Sequence, residues 1–280
     1  MLSEFRYIYL FFLLVVNSAQ AQLLAPVVGH YQGKSAQGMA IYGDVAYLLN
    51  EGGHCRALDL VSSQILYEFD LASSGNQMHA ATACFGKERI KTNDIPVMYV
   101  AEFEGKSRCF VENIFGGRSS LVQTIEAMEN GKNYIIQCWV VDTTHNTLYA
   151  VSGERVLDDN GRCPVVIRQY RLPRLSEGAY VRLTERDKQS QFILDFLNCL
   201  QGAAIRNDVM CIATGFQQSL SRSPRGKRSL KIIDLKRKKL KKEIDLTFVT
   251  TNEPEGFDFW EEKALLFCGQ EGGIYEIRYK

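Results

Sequence analysis

Three short segments of this chain are copies of one pattern: Gln37-Gly38-Met39-Ala40-Ile41, Gln201-Gly202-Ala203-Ala204-Ile205 and Glu255-Gly256-Phe257-Asp258-Phe259. Each sets a polar residue and a glycine ahead of an apolar alternating run, then a short turn and a second strand-like run. The likeness continues outward. ALDLVSSQILYEFDL from Ala57 aligns without a gap on IIDLKRKKLKKEIDL from Ile232, and the two share Asp59/Asp234, Leu60/Leu235, Glu68/Glu243, Asp70/Asp245 and Leu71/Leu246. Agreement at two distant places is the mark of an internal repeat. A repeat made of short strands predicts an all-β chain, a β-propeller in which every blade delivers its first strand to a common axis.

The blades can be counted from their openers. The first unit opens at Gln37, the second at Met78-His79-Ala80, the third at Gln137, the fourth at Gln201 and the fifth at Glu255. The third is expected to close near YVRLTE, and Leu194 to Leu200 to form a helical turn. Five blades fit this count; six would need one more between Ser176 and Leu200. The fifth unit has three strands, and the segment Ala25 to Gln32 ahead of the first unit belongs to no hairpin. Pairing the two would close the ring and remove both exposed sheet edges.

The first residues, MLSEFRYIYLFFLLVVNSAQAQ, join one Arg, a short apolar core and an Ala19-x-Ala21 spacing. This pattern predicts a secretory signal peptide over residues 1–21, with one propeller domain over 22–280 and an exported product, periplasmic or extracellular. The apolar run is about half the ~20 residues a membrane span needs, so no transmembrane segment is expected once the leader is removed. A net charge of +1 with 46% hydrophobic and 23% charged residues describes a globular chain and argues against a general polyanion binder. A monomer that binds no nucleic acid is expected.

Eight cysteines, an even number, permit disulfides in an exported chain. Cys55, Cys109 and Cys163 recur at the head of a strand, however, and equivalent positions in neighbouring blades lie too far apart for a bridge. Buried free thiols are therefore expected. No C-x-x-C, G-x-G-x-x-G, G-x-S-x-G or H-E-x-x-H occurs, and neither Gly33-Lys34-Ser35 nor Gly105-Lys106-Ser107 has the upstream glycine spacing of a phosphate loop. The basic run from Arg222 to Lys242 is the strongest compositional feature. In repeat register, residues 236–239 replace Val61-Ser62-Ser63-Gln64, which makes them the turn of an outer hairpin. Trp139 and Trp260 are expected between blades rather than on a sugar.

The candidate site is the set of openers Gln37, His79, Gln137, Gln201 and Glu255, which repeat equivalence gathers at one mouth of the central channel. A hydrogen-bonded ring that merely closes the channel is the structural alternative. His79 and Glu255 favour a ligand site, because only they exchange protons. Glu253 and Asp258 are candidates for further acidity beside Glu255. No metal ligand set and no cofactor is predicted; calcium held through backbone carbonyls remains an alternative.

Met78-His79-Ala80, Leu200-Gln201-Gly202 and the terminal Ile274-Tyr275-Glu276-Ile277, with the hairpins Asp59-Leu60 to Ile65 and Asp234-Leu235 to Leu240, resemble secreted β-propellers, and more narrowly the helveticin-like five-bladed family. That resemblance implies a cell-envelope glycan as target. Two function classes follow. One is an exported module binding a polar ligand, a glycan or a partner protein, at the channel mouth. The other is a hydrolase or lyase with Glu255 and His79 as its acid/base pair.

Overall fold

The computed structural model describes residues 20–26, 36–75, 79–91, 93–103, 106–153, 164–196, 199–215, 227–247, 249, 252–269 and 273–278. They form a five-bladed β-propeller, and the only helical element among them is a 3₁₀ turn at Leu175–Glu177. Blade 1 is β2 (Ala36–Tyr42), β3 (Val45–Asn50), β4 (His54–Asp59) and β5 (Ile65–Asp70), hydrogen-bonded in that order. Blade 2 is β6 (Ala80–Phe85), β7 (Met98–Glu102), β8 (Cys109–Phe115) and β9 (Arg118–Glu129), with β10 (Lys132–Asn133) on its edge. Blade 3 is β11 (Cys138–Asp142), β12 (Thr147–Gly153), β13 (Pro164–Arg171) and β15 (Lys188–Asp195). Blade 4 is β16 (Leu200–Arg206), β17 (Val209–Thr214), β18 (Ser229–Asp234) and β19 (Lys239–Asp245). Blade 5 is β20 (Gly256–Trp260), β21 (Lys263–Phe267) and β22 (Gly273–Arg278), completed by β1 (Gln20–Pro26).

The N-terminal strand does close the last blade, antiparallel to β22, but it begins earlier than the apolar pattern suggests. It runs over Gln20–Pro26 instead of Ala25 to Gln32, and residues 27–32 lie outside the described residues. Cleavage after Ala21 would leave Gln22 to Pro26 of this strand on the mature chain. The region from Ser176 to Leu200 holds no sixth blade. β14 (Tyr180–Leu183), expected to close blade 3, instead pairs in parallel with β9 of blade 2, and β15 takes the closing place. Leu194 ends that strand rather than starting a helical turn. Lys188 to Asp195 alternate between part-buried and exposed residues, the pattern of an outer strand with one face on the blade.

Each pair of adjacent blades encloses its own apolar layer, so the core is five wedges rather than one central mass. Tyr47 and Met98 fill blades 1 and 2, Tyr99 and Trp139 blades 2 and 3, and Val140 and Ile212 blades 3 and 4. Leu230 and Phe257 fill blades 4 and 5, and Leu48 and Phe267 blades 5 and 1. Both tryptophans pack between blades as expected; Trp139 Nε1 donates to Ser107 O at 3.0 Å and Trp260 Nε1 to Asp44 Oδ1 at 3.0 Å. Cys55, Cys84, Cys109 and Cys138 are buried and form no disulfide; Cys163 lies outside the described residues. The outer hairpins repeat in detail. Asp59 Oδ1 accepts from Ser62 N at 2.6 Å and Asp234 Oδ1 from Arg237 N at 2.8 Å, while Ser63 and Lys238 take positive φ values of 59° and 53°. Residues 236–238 are thus in the turn the register predicts, and Lys239 opens β19.

Candidate functional site

The inner strands β2, β6, β11, β16 and β20 run side by side in the same direction around the axis. Their ladders with the second strands fix the repeat register. Met39 faces Leu48, Ala83 faces Val100, Trp139 faces Ala150, Ala203 faces Ile212 and Phe257 faces Leu266. Counting back two residues from each, the equivalents are Gln37, Ala81, Gln137, Gln201 and Glu255. Ala81 therefore takes the place expected for His79, which lies two residues upstream at the same end. There its carbonyl accepts from Phe103 N at 2.9 Å and its ring meets Phe103 edge-on at 5.4 Å. A slip of two residues keeps every side chain on its own face of a strand, so the apolar pattern of Ala80 to Phe85 cannot detect it.

One residue further along, Gly38, Thr82, Cys138, Gly202 and Gly256 form a plug. A Cβ on Gly38 would stand 1.9 Å from Ala81 O, and one on Gly202 2.2 Å from Phe257 N. Glycine is required because backbone meets backbone there. The two non-glycine members hold the ring together, Thr82 Oγ1 and Cys138 Sγ both donating to Gln201 O at 3.0 and 3.1 Å. The first of these bonds spans from blade 2 to blade 4, so the axis is sealed at this level. Two separate mouths result, an opening end and a closing end.

At the opening end, three of the predicted residues pack against a glycine at or just beyond the end of their own blade's second strand. Gly153 N donates to Gln137 Oε1 at 2.7 Å, and Gln201 Nε2 donates to Gly215 O at 3.3 Å. The Glu255 side chain lies against Gly269, where a Cβ would meet Glu255 Cγ at 2.9 Å. Gln137 is thereby satisfied within its blade, and Gln37 is buried. Gln201 reaches further, its Nε2 lying 2.5 Å from Glu253 Oε1. Glu255 is only 6% exposed, and its Oε2 has no hydrogen-bond partner among the described residues. Burial first, then the charges of Glu253 and Glu51, push its carboxyl well above the ordinary range. Glu253 thus joins this end as anticipated. Glu51 was missed, because it sits at the end of a second strand, where the repeat offers no polar signature. Glu102 is neutralised there by Arg108, whose Nη2 and Nε donate to its Oε1 and Oε2 at 2.7 and 2.8 Å.

Asp258 does not join Glu255. It lies on the far side of the plug, at the closing end, where Ile41 N donates to its Oδ2 at 2.7 Å and Phe259 N to its Oδ1 at 2.8 Å. Burial pushes its carboxyl up to about 7, opposed by these two bonds and by the charge of Arg206. It borders a cavity of about 540 Å³ that no sequence signal announced. No group of three or more His, Cys, Asp or Glu side chains suited to a metal ion occurs among the described residues. No described helix is long and apolar enough to cross a membrane.

No family model and no curated protein matches this sequence. Among solved structures, the chain is similar to a glutaminyl cyclase from Myxococcus xanthus at 12% identity and a TM-score of 0.58, over 92% of this chain and 95% of that one. It also matches Raptor from Chaetomium thermophilum, at 10% identity and a TM-score of 0.45, over 88% of this chain and 20% of that one. The first likeness is one of fold.

Proposed function

We propose that this chain is an exported binding module that holds a polar ligand, a glycan or a polar segment of a partner protein, at the opening end of its axis. The observation that carries this reading is the unpartnered Oε2 of Glu255. A buried polar atom without a partner costs about 1–3 kcal/mol, and a ligand that supplies the partner recovers that cost. Burial and the neighbouring charges favour the protonated form of Glu255, and a carboxyl in that form both donates and accepts, which suits a hydroxyl or amide group. Gln201 and Glu253, joined to each other beside it, provide further polar contacts.

A second reading is favoured by the two carboxyls themselves. Two neighbouring carboxyls can share the roles of acid and base, and Glu253, whose charge bears on Glu255, is a partner for it in place of His79. The solved neighbour of the same fold is named as an enzyme, a glutaminyl cyclase. Glu255→Gln separates the two readings, since it keeps shape and hydrogen bonding but removes the exchangeable proton. Binding of a panel of soluble oligosaccharides and peptides is measured beside hydrolysis of the same oligosaccharides and cyclisation of an N-terminal glutaminyl peptide. Unchanged binding with turnover abolished supports the enzyme. No turnover in the parent protein, with binding that Glu255→Gln retains and Glu255→Leu weakens, supports the module. If neither Glu255→Gln nor Glu255→Leu alters binding or turnover, both readings are overturned and the opening end is structural filling.

A further inference from the structure

The closing-end cavity lies beyond the plug and takes no part in the reading above. It exists because one connection is long. Blades 1, 4 and 5 turn from first to second strand through two residues, Gly43-Asp44, Asn207-Asp208 and Glu261-Glu262, whereas blade 2 uses residues 86–97. That longer connection walls the cavity with Gly86, Lys87, Arg89 and Pro96, and the apolar ends of the inner strands, among them Ile41, Phe85, Val141 and Ile205, form the rest.

Asp258 is the one carboxyl in the lining. In the repeat register it stands where the other blades carry Ala40, Cys84, Val140 and Ala204. Its bond to Ile41 N ties blade 5 to blade 1, but that task does not need an acid. At the equivalent junction the Cys84 thiol of blade 2 accepts from Val141 N of blade 3 at 3.3 Å. A neutral group suffices there, so the carboxyl at 258 exceeds what closure requires. Each of its oxygens also retains accepting capacity after one backbone bond. The rim carries the opposite charge. Arg89 is fixed by Nε donating to Asp94 O at 2.8 Å and Nη2 donating to Tyr42 Oη at 3.1 Å. Lys87 is exposed and makes no hydrogen bond or ion pair among the described residues. An acid among apolar walls with two cations from one connecting loop is complementary to a small molecule with a positive and a negative end.

We propose that the closing-end cavity binds a small zwitterion, a free α-amino acid or a short peptide with free termini, its ammonium on Asp258 and its carboxylate toward Lys87 and Arg89. The charged and titratable groups around Asp258 are Arg206 on β16, Cys84 on β6, Tyr42 on β2, and Lys87 and Arg89 on the connection. An ammonium among them stabilises the ionised carboxyl, so binding near neutral pH releases a proton.

Calorimetry with the free α-amino acids and glycyl dipeptides, each beside its N-acetylated and C-amidated counterpart, tests this. At least one zwitterion should bind, N-acetylation should weaken it about tenfold or more, and heats in buffers of different ionisation enthalpy should report proton release near pH 7. Asp258→Ala, the residue of blades 1 and 4, should weaken binding by a similar factor. Lys87→Glu, on an exposed side chain that puts folding at no risk, should weaken it about fivefold or more, and carries the test if Asp258→Ala fails to fold. The opening-end variant Glu255→Gln should leave this binding unchanged, which separates failure here from failure of the proposed function. The inference is overturned if no zwitterion binds at about 10 mM, if acetylated and free forms bind equally, or if Lys87→Glu binds as the parent does.

Discussion

Glu255 and Asp258 stand three residues apart near the axis, yet they belong to different ends of the molecule and to different electrostatic situations. Both are pushed upward by burial. Asp258 receives two backbone N–H bonds and stops at about 7, while Glu255 keeps an unpartnered oxygen and faces Glu253 and Glu51, whose charges reinforce its upward shift. Bonds to the charged form oppose desolvation, and like charges reinforce it. The same carboxyl chemistry thus becomes a group titrating near neutrality at one end and, at the other, one whose protonated form burial and like charge favour.

The plug that separates the two ends is the harshest place to test this. Gly38→Ala would force a Cβ against Ala81 O, a backbone atom that cannot move without shifting β6. A loss of about 3 kcal/mol or more, and a melting point lower by about 6–12 °C, is expected in a thermal scan. Parent-like melting of this variant would mean that the two ends communicate through an open axis. Removing Gln20–Pro26 strips blade 5 of its outer strand and exposes the edge of β22, so urea unfolding should show a loss of about 2 kcal/mol or more with a smaller m-value.

The pH dependence sharpens the comparison itself. A carboxyl raised in the folded state binds more protons there than in the unfolded chain, so its stabilising contribution is fully present below the unfolded value and is lost as pH rises. For Asp258 the window runs from the ordinary carboxylate range up to about 7. Between those limits the parent should lose about 2 kcal/mol relative to Asp258→Ala, after allowance for its partial exposure, in urea titrations across that range. Glu255→Gln mimics the protonated acid, so its advantage over the parent should grow as pH rises above the ordinary carboxylate range. If Glu255→Gln gains nothing over the parent as pH rises, the opening end holds no upward-shifted carboxyl and the contrast with Asp258 fails. The smallest effect is expected from Thr82→Val, which removes the bond across the axis to Gln201 O and should cost about 1 kcal/mol without changing either titration.

Much of this architecture is legible in the chain. The Gln-Gly and Glu-Gly motifs mark three inner strands, and the Asp-Leu hairpins mark the outer ones, because both recur at positions where the backbone has no freedom: a glycine where strands touch, an aspartate where a turn needs an acceptor. Where those signals are absent, the pattern misleads. Blade 2 lacks the glycine, so His79 stands in for Ala81 by a slip that alternation permits. Blade 3 has two outer strand candidates, and only the parallel pairing of Tyr180–Leu183 with β9 decides between them.

By itself the sequence determined the repeat, the five blades and the closure of the ring by its two ends, since each follows from local periodicity or from the need to pair a strand edge. The tertiary structure alone decided that the axis is sealed, that Glu255 and Asp258 face opposite mouths, that Glu51 and Glu253 crowd the first of these, and that the blade 2 connection walls a cavity around the second. Those facts depend on distances between residues far apart in the chain. Electrostatic shifts and cavities are properties of such distances, and no periodicity records them.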